Sequence, residues 1–184
     1  MKKRRCFAAV TGLVAGLVFL CCAPRNANAQ SGSGRRPPER KAATKAASNV
    51  PPFEVRFWKW LSQANYQKWA PPAGEAAGQF YPGKSPHGKF IKTYLNRIAA
   101  QSKDFPPGSV IVKENFGKDK KLMVVTVMYK SKGYDAGHKD WWYAKYMPNG
   151  QIAMMKQMKI AGKVNTCIQC HSNADGEDYV FAND

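Results

Sequence analysis

Beyond its N-terminus this 184-residue chain has no long apolar run, and acidic residues are scarce: 12 Asp and Glu stand against 29 Lys and Arg. The missing second run excludes a polytopic membrane protein. The shortage of acids leaves a formal charge of +17. Cysteine is equally thin where it counts. Of five cysteines, Cys6, Cys21 and Cys22 sit in the first thirty residues, which leaves Cys167 and Cys170 for the rest of the chain. One close pair does not make a disulfide scaffold. There is no internal repeat, so solenoid and propeller architectures are out. What the chain does have is 12% aromatic and 44% apolar residues. That is enough to fill a core, and it excludes wholesale disorder. The length suits one domain with appendages.

The first appendage reads as an address. Lys2, Lys3, Arg4 and Arg5 form a positive region, an apolar run from Cys6 to Ala23 follows, and Ala27-Asn28-Ala29 offers a small-x-small cut before Gln30. Residues 1–29 are therefore expected to be a signal peptide, and the protein periplasmic or otherwise exported. An uncleaved anchor is the alternative, weakened by Thr11, Gly12 and Gly16 within the run. A lipid-attachment box is disfavoured by the bulky Leu20 before Cys21. Removing the signal leaves 24 basic and 12 acidic residues, a charge of +12. Residues 30–52, which contain no aromatic, read as a basic flexible spacer. The remaining 53–184 segment keeps a charge of +8. Such a balance can suit nucleic acid, but an exported protein rarely meets any. Attraction to acidic partners or surfaces fits better.

Residues 53–184 read as one α+β domain. Phe57, Trp58 and Leu61 predict a helix over 53–69, closed by Pro71-Pro72. Ile91, Tyr94, Leu95 and Ile98 predict a second helix from about His87 to Gln101, ended by Phe105-Pro106-Pro107-Gly108. Then the pattern changes to β-branched and aromatic residues over 109–116, 121–130 and 140–147. Pro148-Asn149-Gly150 signals a hairpin between Trp141–Met147 and Gln151–Ile160. The expectation is two helices followed by an antiparallel sheet of about four strands.

The chemistry lies in Thr166-Cys167-Ile168-Gln169-Cys170-His171. C-x-x-C-H is the attachment motif of c-type haem. Two thiols three residues apart on one helical turn can add to the two vinyl groups of one porphyrin. The adjacent His171 is then placed to ligate the iron. Export agrees with this, because such attachment happens outside the cytoplasm. The rivals fit less well. A thioredoxin-like pair wants a strand–helix setting within βαβ. A structural zinc needs four ligands, so His87 or His138 would have to complete the set. A disulfide across two residues is strained. One covalent haem c is the expected cofactor, with Cys167 and Cys170 as thioethers and His171 as proximal ligand.

Only 13 residues follow His171, and none is Met. A sixth ligand must come from upstream: His87, His138, or one of Met123, Met128, Met147, Met154, Met155 and Met158. Methionines usually fill cores, and lone histidines are more often surface or hydrogen-bonded residues. An open iron position is the favoured reading.

A late C-x-x-C-H with open iron resembles the four-helix cytochromes c′, but the β-rich 109–160 segment argues against that bundle. His87-Gly88, Tyr94-Leu95-Asn96, Pro107 to Glu114, Val127 to Lys130, Asp140-Trp141, the haem motif and Asp178-Tyr179-Val180-Phe181 instead resemble the cytochrome P-460 family and the related cytochromes c′-beta, over about residues 80–181. The resemblance implies a bent antiparallel sheet with flanking helices, a homodimer, and one five-coordinate haem with His171 proximal. In the hydroxylamine-oxidising members a lysine bonds to the porphyrin edge, and Lys113 falls at that position. The c′-beta relatives lack the bond and bind nitric oxide or carbon monoxide in an apolar pocket.

Three functions follow in order. The first is an exported monohaem cytochrome handling small nitrogen compounds, which oxidises hydroxylamine if Lys113 is bonded to the haem and passes electrons to another cytochrome. The second is a non-catalytic binder of diatomic gases, and the third a six-coordinate electron carrier. The resemblance also implies a distal carboxylate for proton removal, yet the matching stretch 122–129 has no Asp or Glu. Glu114, Asp135 and Asp140 are near in sequence, and strand alternation turns Glu114 away from Lys113. Asp140-Trp141-Trp142-Tyr143 could wall a haem or simply pack the sheet. Asp178 is a candidate to tune the iron by hydrogen bonding, and its apolar neighbours to pack behind the proximal face.

Overall fold

The computed structural model describes residues 50–176 and 178–181. The signal peptide and all but the last three residues of the spacer (residues 50–52) lie outside them. Among the described residues, no helix is long and apolar enough to cross a membrane.

Helix α1 runs Phe53–Gln63 with Glu54 in its first turn, where a carboxylate suits the positive end of the helix dipole. It is shorter than the sequence spacing predicts. Asn65 adopts a left-handed φ of 49°, and the chain continues as a 3-10 turn at Tyr66–Lys68. Six strands then build one antiparallel sheet in chain order: β1 (Tyr81–Pro82), β2 (Phe90–Leu95), β3 (Val110–Phe116), β4 (Leu122–Lys130), β5 (Trp141–Tyr146) and, after a detour, β8 (Ala161–Gly162). The detour is a two-stranded hairpin, β6 (Met154–Met155) with β7 (Met158–Lys159). The α+β class and the bent antiparallel sheet are as expected.

The expected helix over 87–101 is instead strand β2, with only Arg97–Ala100 helical as α2. The apolar spacing misleads because β2 is apolar on both faces. Tyr94 joins one core and Leu95 the other, so neighbours that mimic one helical stripe lie on opposite sides of a strand. The pairing Tyr94↔Val112 and Leu95↔Ile111 holds them there. The hairpin at Pro148-Asn149-Gly150 does form, with Gly150 N–H donating to Met147 O at 2.9 Å. Its return strand is interrupted, because Ala153 and Ile160 pair with each other and both bond Lys145 at the root of the β6–β7 excursion.

Two cores sandwich the sheet. On one face α1 lays Phe57 and Leu61 against Val110, Val112, Val125, Val127 and Trp142. On the other, Ile168 of helix α3 (Asn165–His171) packs with Leu95, Ile111, Met128, Trp141 and Tyr143. Burying one such side chain contributes roughly 1.5–3 kcal/mol. The strand alternation predicted for β3 therefore holds: Val110 and Val112 on one face, Ile111 and Lys113 on the other.

Candidate haem site

Helix α3 brings Cys167, Cys170 and His171 onto consecutive turns, and Ile168 anchors them to the sheet. Both thiols are free, and burial raises the Cys167 thiol pKa. His171 is almost fully buried. Its Nδ1 lies 2.9 Å from the carbonyl of Tyr179. A carbonyl only accepts, so Nδ1 carries the proton and Nε2 keeps its lone pair. Tyr179 reaches this position through a left-handed φ of 62°. Burial also lowers the His171 pKa, the Tyr179 bond opposing and Lys113 adding to the effect. The imidazole is held neutral and ready to bind a metal.

The expected partner Asp178 does not touch His171. Its carboxylate pairs with Lys130, and its carbonyl accepts from Trp141 Nε1 at 2.8 Å. The neighbouring backbone carbonyl does the orienting instead. Val180 is buried in the second core and the Phe181 ring sits 5.4 Å from His171, so the apolar members do pack behind the proximal histidine. Of the aromatic run, Trp141 and Tyr143 face this side, and Trp142 faces the α1 core. The Tyr143 ring lies 5.5 Å from His171, and its hydroxyl is buried without a partner among the described residues.

Lys113 lies mid-strand on the same face. Thr93, Lys113, Thr126 and Lys145 stand in register across β2, β3, β4 and β5. Lys113 is half-buried, and no hydrogen bond or ion pair holds its amine among the described residues. Burial lowers its pKa, opposed by the nearby Glu75 and Cys170. Glu75 is the carboxylate that sequence reasoning missed. It sits in the 70–80 loop, outside every motif, and burial raises its pKa while Lys113 works against the rise. Glu114 faces away, as strand alternation predicts, and accepts from Tyr66, Tyr94 and Gln67 at 2.9, 2.9 and 3.2 Å. Asp135 is occupied by His138 and Lys163, and Asp140 by the backbone N–H groups of Gly133 and Asp135.

The sixth-ligand candidates separate clearly. His138 lies beside Asp135 on an exposed 3-10 turn (Ala136–His138). Met123, Met147, Met154, Met155 and Met158 are exposed, and Met128 is buried in the second core. His87 alone comes close, with its ring 6.3 Å from that of His171.

The donor set fits a haem. Two free thiols stand three residues apart on one helix, the adjacent neutral imidazole has an unprotonated Nε2, and the buried Tyr143 hydroxyl beside it lacks a protein partner. Among the described residues no group of three or more His, Cys, Asp or Glu side chains is arranged to hold a bare metal ion, so nothing completes the zinc alternative. A search of the curated proteins finds no match. The family model for cytochrome P-460 matches residues 63–182, which takes in the whole sheet, Lys113, Glu75, His87 and the C-x-x-C-H helix. With the sheet, the oriented histidine and this match in agreement, the chain belongs to the cytochrome P-460 family, a family of haem proteins.

Proposed function

We propose that the protein is an exported monohaem c cytochrome that oxidises a small nitrogen compound, hydroxylamine being the leading candidate. Cys167 and Cys170 would carry the haem as thioethers, and His171 would bind the iron through Nε2. When bound, haem supplies an iron that accepts electrons from a ligand on the side opposite His171.

The observation that carries the reading is Lys113. A half-buried ammonium without a bonding partner is costly, and burial shifts the side chain toward the neutral amine. A neutral, desolvated amine is a competent nucleophile. Placed beside Cys170 and on the face of the sheet that holds His171, it is suited to a bond with the haem edge. Hydroxylamine oxidation must release protons along with electrons, so a base is needed. Glu75 fills the gap left by the carboxylate-free 122–129 stretch, since its raised pKa suits proton uptake near neutrality. The electrons would pass to another cytochrome, and the basic surface suits an acidic partner. A homodimer is part of the same proposal, and nucleic acid is not.

A second reading is a binder of nitric oxide or carbon monoxide. It is favoured by Ile111 and Met128, which leave the nearby sheet face apolar. Intact mass and a tryptic map of the holo-protein, exported in a host that attaches haem c, separate the two. The oxidase reading expects the Lys113 peptide to remain joined to the haem peptide of Cys167 and Cys170. A free Lys113 peptide, with haem still on the two cysteines, rejects the oxidase and leaves the gas binder. Loss of haem from both cysteines rejects both.

A further inference from the structure

We propose that His87 is the second axial ligand of the resting iron, a built-in occupant that an incoming small molecule must displace; this rests on the haem reading above. The argument begins at Asn115, which is fully buried. Its Nδ2 lies 2.8 Å from Lys113 O, 3.3 Å from Val124 O and 3.1 Å from Thr126 Oγ1. Two of these are carbonyls, which only accept, so the amide nitrogen must face them and Oδ1 must face the other way. Oδ1 in turn receives the Gly88 N–H at 3.4 Å and meets His87 Nδ1 at 2.8 Å. An amide oxygen donates nothing. His87 therefore carries its proton on Nδ1, and its Nε2 holds a free lone pair.

The same logic fixes His171 through Tyr179. Two buried imidazoles thus stand together, each tied at Nδ1 by an uncharged oxygen and each with Nε2 unprotonated. Oriented histidine ligands are held in this way by the group behind them. Burial keeps His87 neutral, lowering its pKa to about 4, with Lys113 adding to the effect and the Asn115 bond opposing it. A protonated ring could not ligate.

Distance decides between two roles for such a histidine. Two imidazoles that share one metal through Nε2, at about 2 Å per bond, have ring centres about 6 Å apart. A histidine that only hydrogen-bonds a small molecule on the iron stands farther off, about 8 Å or more from the opposite ring. The observed separation is 6.3 Å, with the rings at 88°. It matches direct ligation.

The base of His87 is firmly placed. Its N–H donates to Lys84 O at 2.8 Å, and Gly88 lies so close to the Asn115 and Phe116 backbone that a Cβ there would stand 2.4 Å from Phe116 O. The ligand is presented by a rigid segment, which is how a defined coordination geometry is kept.

The test uses the exported holo-protein. Optical and electron paramagnetic resonance spectra of the ferric wild type are expected to show a low-spin iron with two histidine ligands. His87→Ala should convert it to high spin, added imidazole should restore low spin, and cyanide should bind the variant at least tenfold faster than the wild type. If His87→Ala fails to fold, the wild-type spectrum and His87→Met decide, because a methionine ligand gives a distinct low-spin signature. A wild-type protein that is already high-spin overturns the inference and leaves the open-iron reading standing. A low-spin wild type whose spectrum is unchanged by substitution at His87 also overturns it. A protein without covalent haem overturns both.

Discussion

Gly88→Ala is a single-methyl test of how the sheet edge and His87 are held. Gly88 does not need glycine for its backbone angles; it needs it for space. A Cβ there would meet Phe116 O at 2.4 Å, Phe116 N at 2.5 Å and the Asn115 carbonyl carbon at 2.9 Å. All three are backbone atoms of β3, so no side chain can turn aside. Relief requires the 83–89 segment to move about 1 Å away from β3, which strains the Phe90↔Phe116 pairing and the two bonds to Asn115 Oδ1. Overpacking by one methyl group costs about 1–3 kcal/mol, and contacts made wholly by backbone belong at the upper end. Taking about 3 kcal/mol, a domain of this size should melt roughly 10 °C lower. Gly137→Ala is the control, since nothing lies within 4 Å of a Cβ there and its φ is ordinary. It should be neutral or slightly stabilising. Thermal unfolding of both holo-variants beside the wild type gives the answer. A Gly88→Ala protein that melts within about 3 °C of wild type would refute the close packing of this segment on β3.

The other expectations concern the two faces of β3. Tyr66→Phe removes a buried bond to the Glu114 carboxylate and should cost about 2 kcal/mol, whereas Glu114→Ala, which strands two buried phenols, should cost about 3–5 kcal/mol. Urea titration measures both, and equal losses would show that the hydroxyls do not converge on Glu114. On the opposite face, turnover of hydroxylamine should rise with pH through a Glu75 pKa above the ordinary 4.5, because a base works in its deprotonated form. Glu75→Gln should abolish that limb and lower the plateau on the order of 100-fold. A variant profile that keeps the limb would reassign the proton acceptor.

Much of the site was legible because it is local. Cys167, Cys170 and His171 lie within five residues, and one helical turn suffices to present them together. Strand alternation likewise separated Lys113 from Glu114 before any coordinates, since neighbours on a pleated strand must point apart. The same logic failed at 90–95, where β2 buries both faces and its spacing imitates a helix. It also misassigned the orienting group, because a backbone carbonyl such as that of Tyr179 leaves no mark in the identity of the residue.

The sequence by itself therefore determined the chemistry carried on contiguous residues: the haem-attachment segment, the inward lysine of a strand and the α+β pattern. Only the tertiary structure decided what comes from a distance. It brought Glu75 from a loop to Lys113, set Asn115 behind His87, and placed the His87 ring beside His171. Hydrogen-bond direction and ring separation arise only when strands far apart in the chain are paired, and no spacing rule encodes them.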